Sequence, residues 1–354
     1  MIELTDKRIL ITGGTGSLGK VLVKRLLSGS VGNPAKIIVF SRDEAKQHAM
    51  RVEYQHRCSA TDEIIYRNFT ERLKFIIGDV RDFHAVTTAL RDVDIVFNAA
   101  ALKQVPTCEY FPYEAVLTNI MGAENIVRAI CDLRLPVETV VGISTDKAVK
   151  PVNVMGMTKS LQERVFARAN LTTSSTRFIL ARYGNVLASR GSVVPLFHEQ
   201  IKNGGPVTIT SPEMTRFLLG LDQAVDLILT AVSEARPGET YIPHVLSARI
   251  VDVAAALIGE RKIETVITGV RPGEKVHEVL ISEEEAHRTT KRGSNYVIAP
   301  ILPELQDASL KGPFLDKEYS SADEIMRLEE VRALLVRRNL MVNHTLELEG
   351  EILR

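Results

Sequence analysis

The chain has 354 residues, more than one small hydrophobic core needs, and that length suits a large α/β domain with an appended lobe. Its 44 basic and 44 acidic side chains cancel, which excludes the basic surplus that nonspecific nucleic-acid binding requires. A composition of 45% hydrophobic and 25% charged residues excludes wholesale disorder, and no apolar run nears the roughly 20 residues of a membrane-spanning helix.

The opening residues, Met1-Ile2-Glu3-Leu4-Thr5-Asp6, lack the basic segment and long apolar stretch of a signal peptide, so a soluble, cytoplasmic protein is expected. A strand is predicted over 8–12. It runs into Gly13-Gly14-Thr15-Gly16-Ser17-Leu18-Gly19 and a helix over 17–28. Glycines at these spacings permit a tight turn and let a pyrophosphate approach the backbone. The helix start adds free N–H groups and a positive dipole end. Gly13, Thr15, Gly16, Ser17 and Leu18 are therefore the candidate phosphate cradle of a bound dinucleotide.

A second strand over 36–40 ends in Phe40-Ser41-Arg42-Asp43. An acidic residue at this tip favours an unphosphorylated adenosine ribose, whereas a hydroxyl and an arginine welcome a 2′-phosphate. Ser41 and Arg42 thus point to NADP over NAD, with Asp43 left to cap the helix predicted over 43–57. Strands over 73–77 and 94–98 follow. Asp79 and Val80 after the former are placed for the adenine, and Ala99 and Ala100 after the latter for the nicotinamide.

Helices over 83–91, 114–133 and 153–169 alternate with these strands and with two more over 137–143 and 177–183. The strand runs are apolar almost throughout, as in parallel strands covered on both faces. The fold class is therefore α/β, a doubly wound parallel sheet. The fifth strand leads to Ser144-Thr145-Asp146-Lys147, and Lys159 lies on the helix beyond. These polar groups fall at the carboxyl edge of the sheet, where such folds bind ligands.

After Tyr183 the alternation breaks. A loop over 184–192 enters a helix over 193–202, then Asn203-Gly204-Gly205-Pro206, a strand over 207–210, and helices over 221–234 and 251–257. Residues 1–183, rejoined by about 211–236, are assigned to the nucleotide-binding domain, and 184–298 to a smaller substrate lobe. The extension 299–354 contains a polar, turn-rich stretch over 306–321 and a closing helix over 328–340. Cys58, Cys108 and Cys131 fit neither a disulfide framework nor a metal knuckle, and His48, His56 and His84 lack partners at ligand spacing, so no metal is expected.

Several stretches carry a specific resemblance: the glycine turn, Ser41-Arg42-Asp43-Glu44, Gly78-Asp79-Val80-Arg81-Asp82, Ala99-Ala100-Ala101-Leu102-Lys103-Gln104, Ser144-Thr145-Asp146-Lys147-Ala148, Arg182-Tyr183-Gly184-Asn185-Val186, Ser189-Arg190-Gly191-Ser192-Val193, Met214-Thr215-Arg216-Phe217 and Arg271-Pro272-Gly273-Glu274-Lys275. Over roughly 5–285 the chain resembles the extended short-chain dehydrogenases/reductases. Within them it is similar to the nucleotide-sugar 4,6-dehydratases of capsule, O-antigen and protein-glycosylation pathways. The resemblance implies a Rossmann-type domain, NADP and a UDP-sugar. The superfamily's Tyr-x-x-x-Lys keeps its lysine as Lys159 but has Met155 in the tyrosine position, and methionine has no proton to exchange. One branch of the dehydratases resembles this chain in that feature, with chemistry centred on Thr145, Asp146 and Lys147.

That branch implies a substrate of the UDP-N-acetylglucosamine type and a 4-keto-6-deoxy product, with carbon 5 retained or inverted. Neutral Lys147 would remove the carbon 5 proton and protonated Asp146 would serve the departing hydroxyl on carbon 6. The carbon 4 hydroxyl proton is left to Asp146, or to Thr145 with a water. Lys159 would hold the nicotinamide ribose. Lys103, Met155, Asn185, Ser192 and Val193 would face the sugar nucleotide, with Lys103 also reaching the cofactor. Arg216 and Arg271 would clamp the pyrophosphate, beside Glu274. A UDP-sugar 4-epimerase and a non-catalytic NADP-binding regulator are the alternatives; Met155 counts against the first and suggests the second. A homo-oligomer, dimer or hexamer, is implied, with the helices over 114–133 and 153–169 as its contact face.

Overall fold

The computed structural model describes residues 3–55, 69–187, 192–306 and 312–342. Cys58, His56, the end of the helix expected over 43–57, the Ser189-Arg190-Gly191 stretch and the last residues of the extension lie outside the described residues. Six parallel strands come first: β1 (Arg8–Thr12), β2 (Lys36–Ser41), β3 (Leu73–Ile77), β4 (Ile95–Asn98), β5 (Thr139–Thr145) and β6 (Arg177–Tyr183). Their spatial order is β3-β2-β1-β4-β5-β6, so the chain reverses direction between β1 and β4, the switch point at which such sheets bind ligands.

The near-continuous apolar strands have the physical cause expected. Ile9 and Ile11 face one side of β1 and pack with Leu22 and Leu26 of α1 (Ser17–Leu27), whereas Leu10 faces the other. There it meets Ile126 and Phe166 from the opposite helical layer. Each such fully buried side chain stabilises the fold by about 1.5–3 kcal/mol. α2 (Glu44–Gln55) joins the α1 layer, and α3 (Phe83–Leu90) joins the opposite one, its first turn capped by the Asp82 carboxylate accepting from the His84 and Ala85 amides.

Beyond β4 come α4 (Val105–Tyr110) and a helical run ending in α5 (Gly122–Leu133). The single helix expected over 114–133 is interrupted by a π-wound turn, Val116–Met121. That turn buries Asn119, which accepts from the Leu102 amide and donates to the Leu102 carbonyl and Thr158 hydroxyl. A widened turn here thus fixes the loop that leaves β4. Helix α6 (Val154–Ala169) starts with Asn153, whose side chain accepts from the Gly156 amide.

The remaining strands and longer helices are α7 (Val193–Lys202), β7 (Val207–Ile209), β8 (Thr215–Phe217), α8 (Leu221–Glu234), β9 (Thr240–Pro243), β10 (Ser247–Arg249), α9 (Ile250–Ile258), β11 (Thr265–Ile267), β12 (Val279–Ile281), β13 (Thr289–Arg292), β14 (Asn295–Ile298), β15 (Tyr319–Ser320) and α10 (Leu328–Arg337). Their placement departs from the assignment of 184–298 to the substrate lobe. β9 pairs in parallel with β6, and β14 and β13 continue antiparallel, so the main sheet among the described residues has nine strands. These strands are short, and Tyr241 and Ile242 are buried in the main core, which is why they join it. The second core is built from α7, α9 and α10 with β7 and β10, so residues of the extension also belong to the small lobe.

Candidate active site

The first turn is a cradle made of backbone. Gly13 has φ of +64°, and a β-carbon on it would stand 2.8 Å from Ala100 Cα. A β-carbon on Gly19 would fall 2.5 Å from Gly14 Cα, so α1 can approach the turn this closely only without one. Thr12 spans the switch point, donating to the Asn98 side-chain oxygen and accepting from the Ala100 amide. Gly16 starts α1, whose first turn has no acidic residue. Such a cradle at a helix start suits a pyrophosphate.

This cradle opens into a cavity of about 470 Å³ whose wall includes Gly13, Gly16, Ser17, Leu18, Ala99, Ala100, Lys103, Thr145, Lys147, Met155 and Lys159. Thr15 is buried behind the turn. Ser41, Arg42, Asp79 and Val80 are not part of this wall; they sit at the adjoining tips of β2 and β3. Ser41 is buried and accepts from Gln47, which also donates to the Ser41 and Ile76 carbonyls and so ties the two tips together. Arg42 is 57% exposed, 3.6 Å from Asp79. Burial pushes the Asp79 carboxyl up, but the hydrogen bonds and charge of Arg81, aided by Arg42, outweigh it and hold the group below its usual range. Asp43 accepts from the Lys46 amide and so caps α2.

A second cavity of about 390 Å³ faces the small lobe. It is walled by Lys103, Asn185, Ser192, Val193, Arg216, Arg271 and Glu274, and also by Lys275 and Glu278. Seven of the eight residues expected to face substrate are brought together here. Met155 is the exception: it is buried, packs with Cys108 and Ala115, and reaches only the cofactor-side cavity. Arg216 is aimed by backbone, since its guanidinium donates to the carbonyls of Thr215, Lys275 and Val276. Ser192 Oγ and Glu274 Oε2 are buried without a hydrogen-bond partner, which leaves polar capacity on the cavity wall.

The two cavities meet at Lys103, Lys147, Asn185 and Val186, which wall both. Lys147 Nζ donates to Asp146 Oδ1 at 3.0 Å and Asn185 Oδ1 at 3.1 Å, and stands 3.1 Å from Glu278 Oε1. Thr145 Oγ1 donates to the same Asp146 oxygen at 2.8 Å. Asp146 itself is 0% exposed and walls neither cavity. The tight turn Asp146–Ala148 rotates it inward beneath Gly184, so it reaches the cavities only through Thr145 and Lys147. Direct contact between Asp146 and a bound sugar, as expected from sequence, is therefore corrected to contact through these neighbours.

The electrostatics correct a second expectation. Burial raises the Asp146 carboxyl, with Glu278 adding to the effect and Lys147 opposing it, as an acid requires. Burial alone would depress Lys147, but Asp146 and Glu278 outweigh it and raise the ammonium further from neutrality. The neutral base expected from sequence is thus not the resting state. Burial does depress Lys159, opposed by Glu163, to about 8. Its ammonium donates to Gln162 Oε1, and Gln162 Nε2 in turn donates to the Ile143 carbonyl.

Glu278 was missed by sequence reasoning: it lies three positions beyond the Arg271–Lys275 motif and looks like any surface glutamate. Lys46 and Tyr183, on the cofactor-side wall, were also missed. Behind the site, Arg182 is buried between Glu163 and Glu285, donating to both oxygens of each, and Ser144 donates to Glu163. Among the described residues no cluster of three or more His, Cys, Asp or Glu side chains is arranged to hold a metal ion.

A parallel sheet in this order, a glycine cradle at its first turn and a lysine at the meeting of two cavities define an extended short-chain dehydrogenase/reductase. Residues 9–300 match the family model described as polysaccharide biosynthesis protein, and the chain belongs to that family. It is 42% identical over 345 residues to a protein of Rickettsia canadensis named UDP-glucose 4-epimerase, covering 94% of this chain and 96% of that one. It is 45% identical over 306 residues to a Methanocaldococcus jannaschii protein described as an uncharacterized membrane protein, covering 83% and 86% respectively. No helix among the described residues of this chain is long and apolar enough to cross a membrane. The X-ray structure of Pen from Bacillus thuringiensis matches with a TM-score of 0.84 and 33% identity, over 96% of this chain and 99% of that one. DesIV from Streptomyces venezuelae, a dTDP-glucose 4,6-dehydratase solved with NAD and TYD bound, shares the fold at a TM-score of 0.63 and 21% identity, over 76% of this chain and 86% of that one.

Proposed function

We propose that this protein is a UDP-N-acetylglucosamine 4,6-dehydratase that uses NADP and forms a 4-keto-6-deoxy sugar nucleotide for glycan biosynthesis. The observation that carries this reading is Lys147 at the junction of the two cavities, hydrogen-bonded to a buried acid. The glycine cradle and the α1 start would hold the pyrophosphate of the dinucleotide, with Arg42 beside its 2′-phosphate and Lys159 at the nicotinamide ribose. When bound, that group supplies hydride removal at carbon 4 and hydride return at carbon 6. Arg216 and Arg271 hold the diphosphate of the sugar nucleotide, and Asn185 and Lys103 orient its pyranose.

The chain's own residues then manage protons. Lys147, after releasing a proton to solvent, takes the acidified hydrogen from carbon 5, exchanges it with solvent and protonates that carbon from the same or the opposite face, its own proton then being restored from solvent. The proton released from the carbon 4 hydroxyl and the one that leaves with the carbon 6 hydroxyl as water balance through the Thr145–Asp146 pair. One water is lost overall, and no tyrosine is required at position 155.

Incubation with UDP-N-acetylglucosamine in heavy water, followed by proton NMR, tests the reading. Loss of water with deuterium at carbon 5 is expected, and Lys147→Ala should abolish deuterium entry. An isomer of unchanged mass would favour a 4-epimerase instead, the activity in the name of the Rickettsia canadensis relative. Exchange at the wild-type rate in Lys147→Ala would remove Lys147 from its role.

A further inference from the structure

An ammonium has three hydrogens, and Lys147 Nζ has three acceptors around it. Two come from the ends of neighbouring strands of the main sheet, Asp146 past β5 at 3.0 Å and Asn185 just past β6 at 3.1 Å. The third, Glu278 Oε1 at 3.1 Å, comes from the segment entering β12. Glu278 is held there firmly. Its amide donates to Ser321 Oγ, its carbonyl accepts from the Ser321 amide, and Ser321 Oγ bonds Thr215 Oγ1 of β8. Its carboxylate is buried, with Oε2 lacking a hydrogen-bond partner, and it stands 3.8 Å from Arg216 Nε.

We propose that Glu278 is a positioning residue for the proton-transfer site: reaching across from the Arg216 side, it fixes Lys147 against Asp146 and links that lysine to the arginine of the substrate cavity. The inference rests on the dehydratase reading for its catalytic meaning, though the contact itself does not. Other charged groups facing Lys147 are Asp146 after β5, Arg216 on β8 and Lys275 before β12. Lys103, Arg271 and Glu274 stand around the same cavity. Of these, only Asp146 and Glu278 make ion pairs with Lys147 among the described residues. A negative group 3.1 Å away favours the charged lysine, so its removal should let Lys147 lose its proton more readily.

The test is Glu278→Gln in the full chain, followed without substrate by carbon-13 NMR of ε-labelled lysine, with the Lys147 signal assigned through Lys147→Met. The Lys147 midpoint should fall by about one pH unit, while cofactor affinity stays within about twofold. In turnover, kcat at the plateau should fall about tenfold with KM within about threefold, and the acid limb of the pH profile should move down with the midpoint. Glu278→Asp, with its shorter reach, should shift the midpoint in the same direction by less; it serves if the glutamine variant does not fold. An unmoved midpoint in either folded variant overturns the assignment. If Glu278→Gln moves the midpoint while the wild-type protein dehydrates no UDP-hexosamine, the positioning contact stands and the dehydratase reading falls.

Discussion

The two halves of the site are built from different materials. The half proposed for the dinucleotide is made of backbone: Gly13 pressed against Ala100, Gly19 against Gly14, and the start of α1. The half proposed for the sugar nucleotide is made of charged and polar side chains from separate segments: Lys103 after β4, Asn185 after β6, Arg216 on β8, and Arg271, Glu274 and Glu278 ahead of β12. A backbone cradle has one local solution and leaves a signature of a few consecutive residues. A cage of side chains has many, and each member taken alone is an ordinary polar residue.

This contrast sets where the protein should break. Gly13→Val combines a strained backbone with a carbon 2.8 Å from Ala100, a penalty of about 4 kcal/mol. Dinucleotide affinity should fall about a thousandfold by fluorescence titration, with UDP affinity unchanged; equal loss of both would mean that the halves are not separable. Lys159 offers the next effect. Burial lowers it from 10.5 to about 8, so the unfolded state binds the extra proton between those values and stability rises with pH across that window. Relative to a Lys159→Met variant, the wild-type chain should gain up to about 3 kcal/mol from pH 8 to 10.5 in denaturant titrations. A flat difference would show that Lys159 is solvated. The smallest effect belongs to Arg42→Ala, at the exposed rim. NADP affinity should drop about tenfold with NAD affinity held within about twofold and no change in melting temperature.

The same contrast explains how much could be read from sequence. Strands β1, β2, β4, β5 and β6 were legible because apolar runs covered on both faces leave no polar alternation, and edge strand β3, only partly buried, was legible from its apolar Phe75-Ile76-Ile77 run. β13, with the sequence Thr-Thr-Lys-Arg, was not, because an edge strand with one partner tolerates polar residues. The glycine turn announced itself, whereas the sugar-side residues were placed through family resemblance. Neither route found Glu278, whose partner Lys147 is distant in sequence, and neither foresaw that Asp146 is sealed from both cavities. Those facts depend on how turns and loops converge in space, and short-range pattern does not encode them.

Arg182 of β6 carries a lesson for recombination. It is locked between Glu163 of α6 and Glu285 just past β12, and its charge and hydrogen bonds pull Glu285 down to about 2 against the cost of that carboxylate's burial. A chimera that grafts a foreign C-terminal segment downstream of residue 280 would leave the guanidinium with Glu163 as its one carboxylate partner unless an acidic group returns at position 285. Removing one partner of a buried ionic cluster costs about 3–5 kcal/mol. Segment swaps in this protein should therefore keep Arg182, Glu163 and Glu285 as one inherited block.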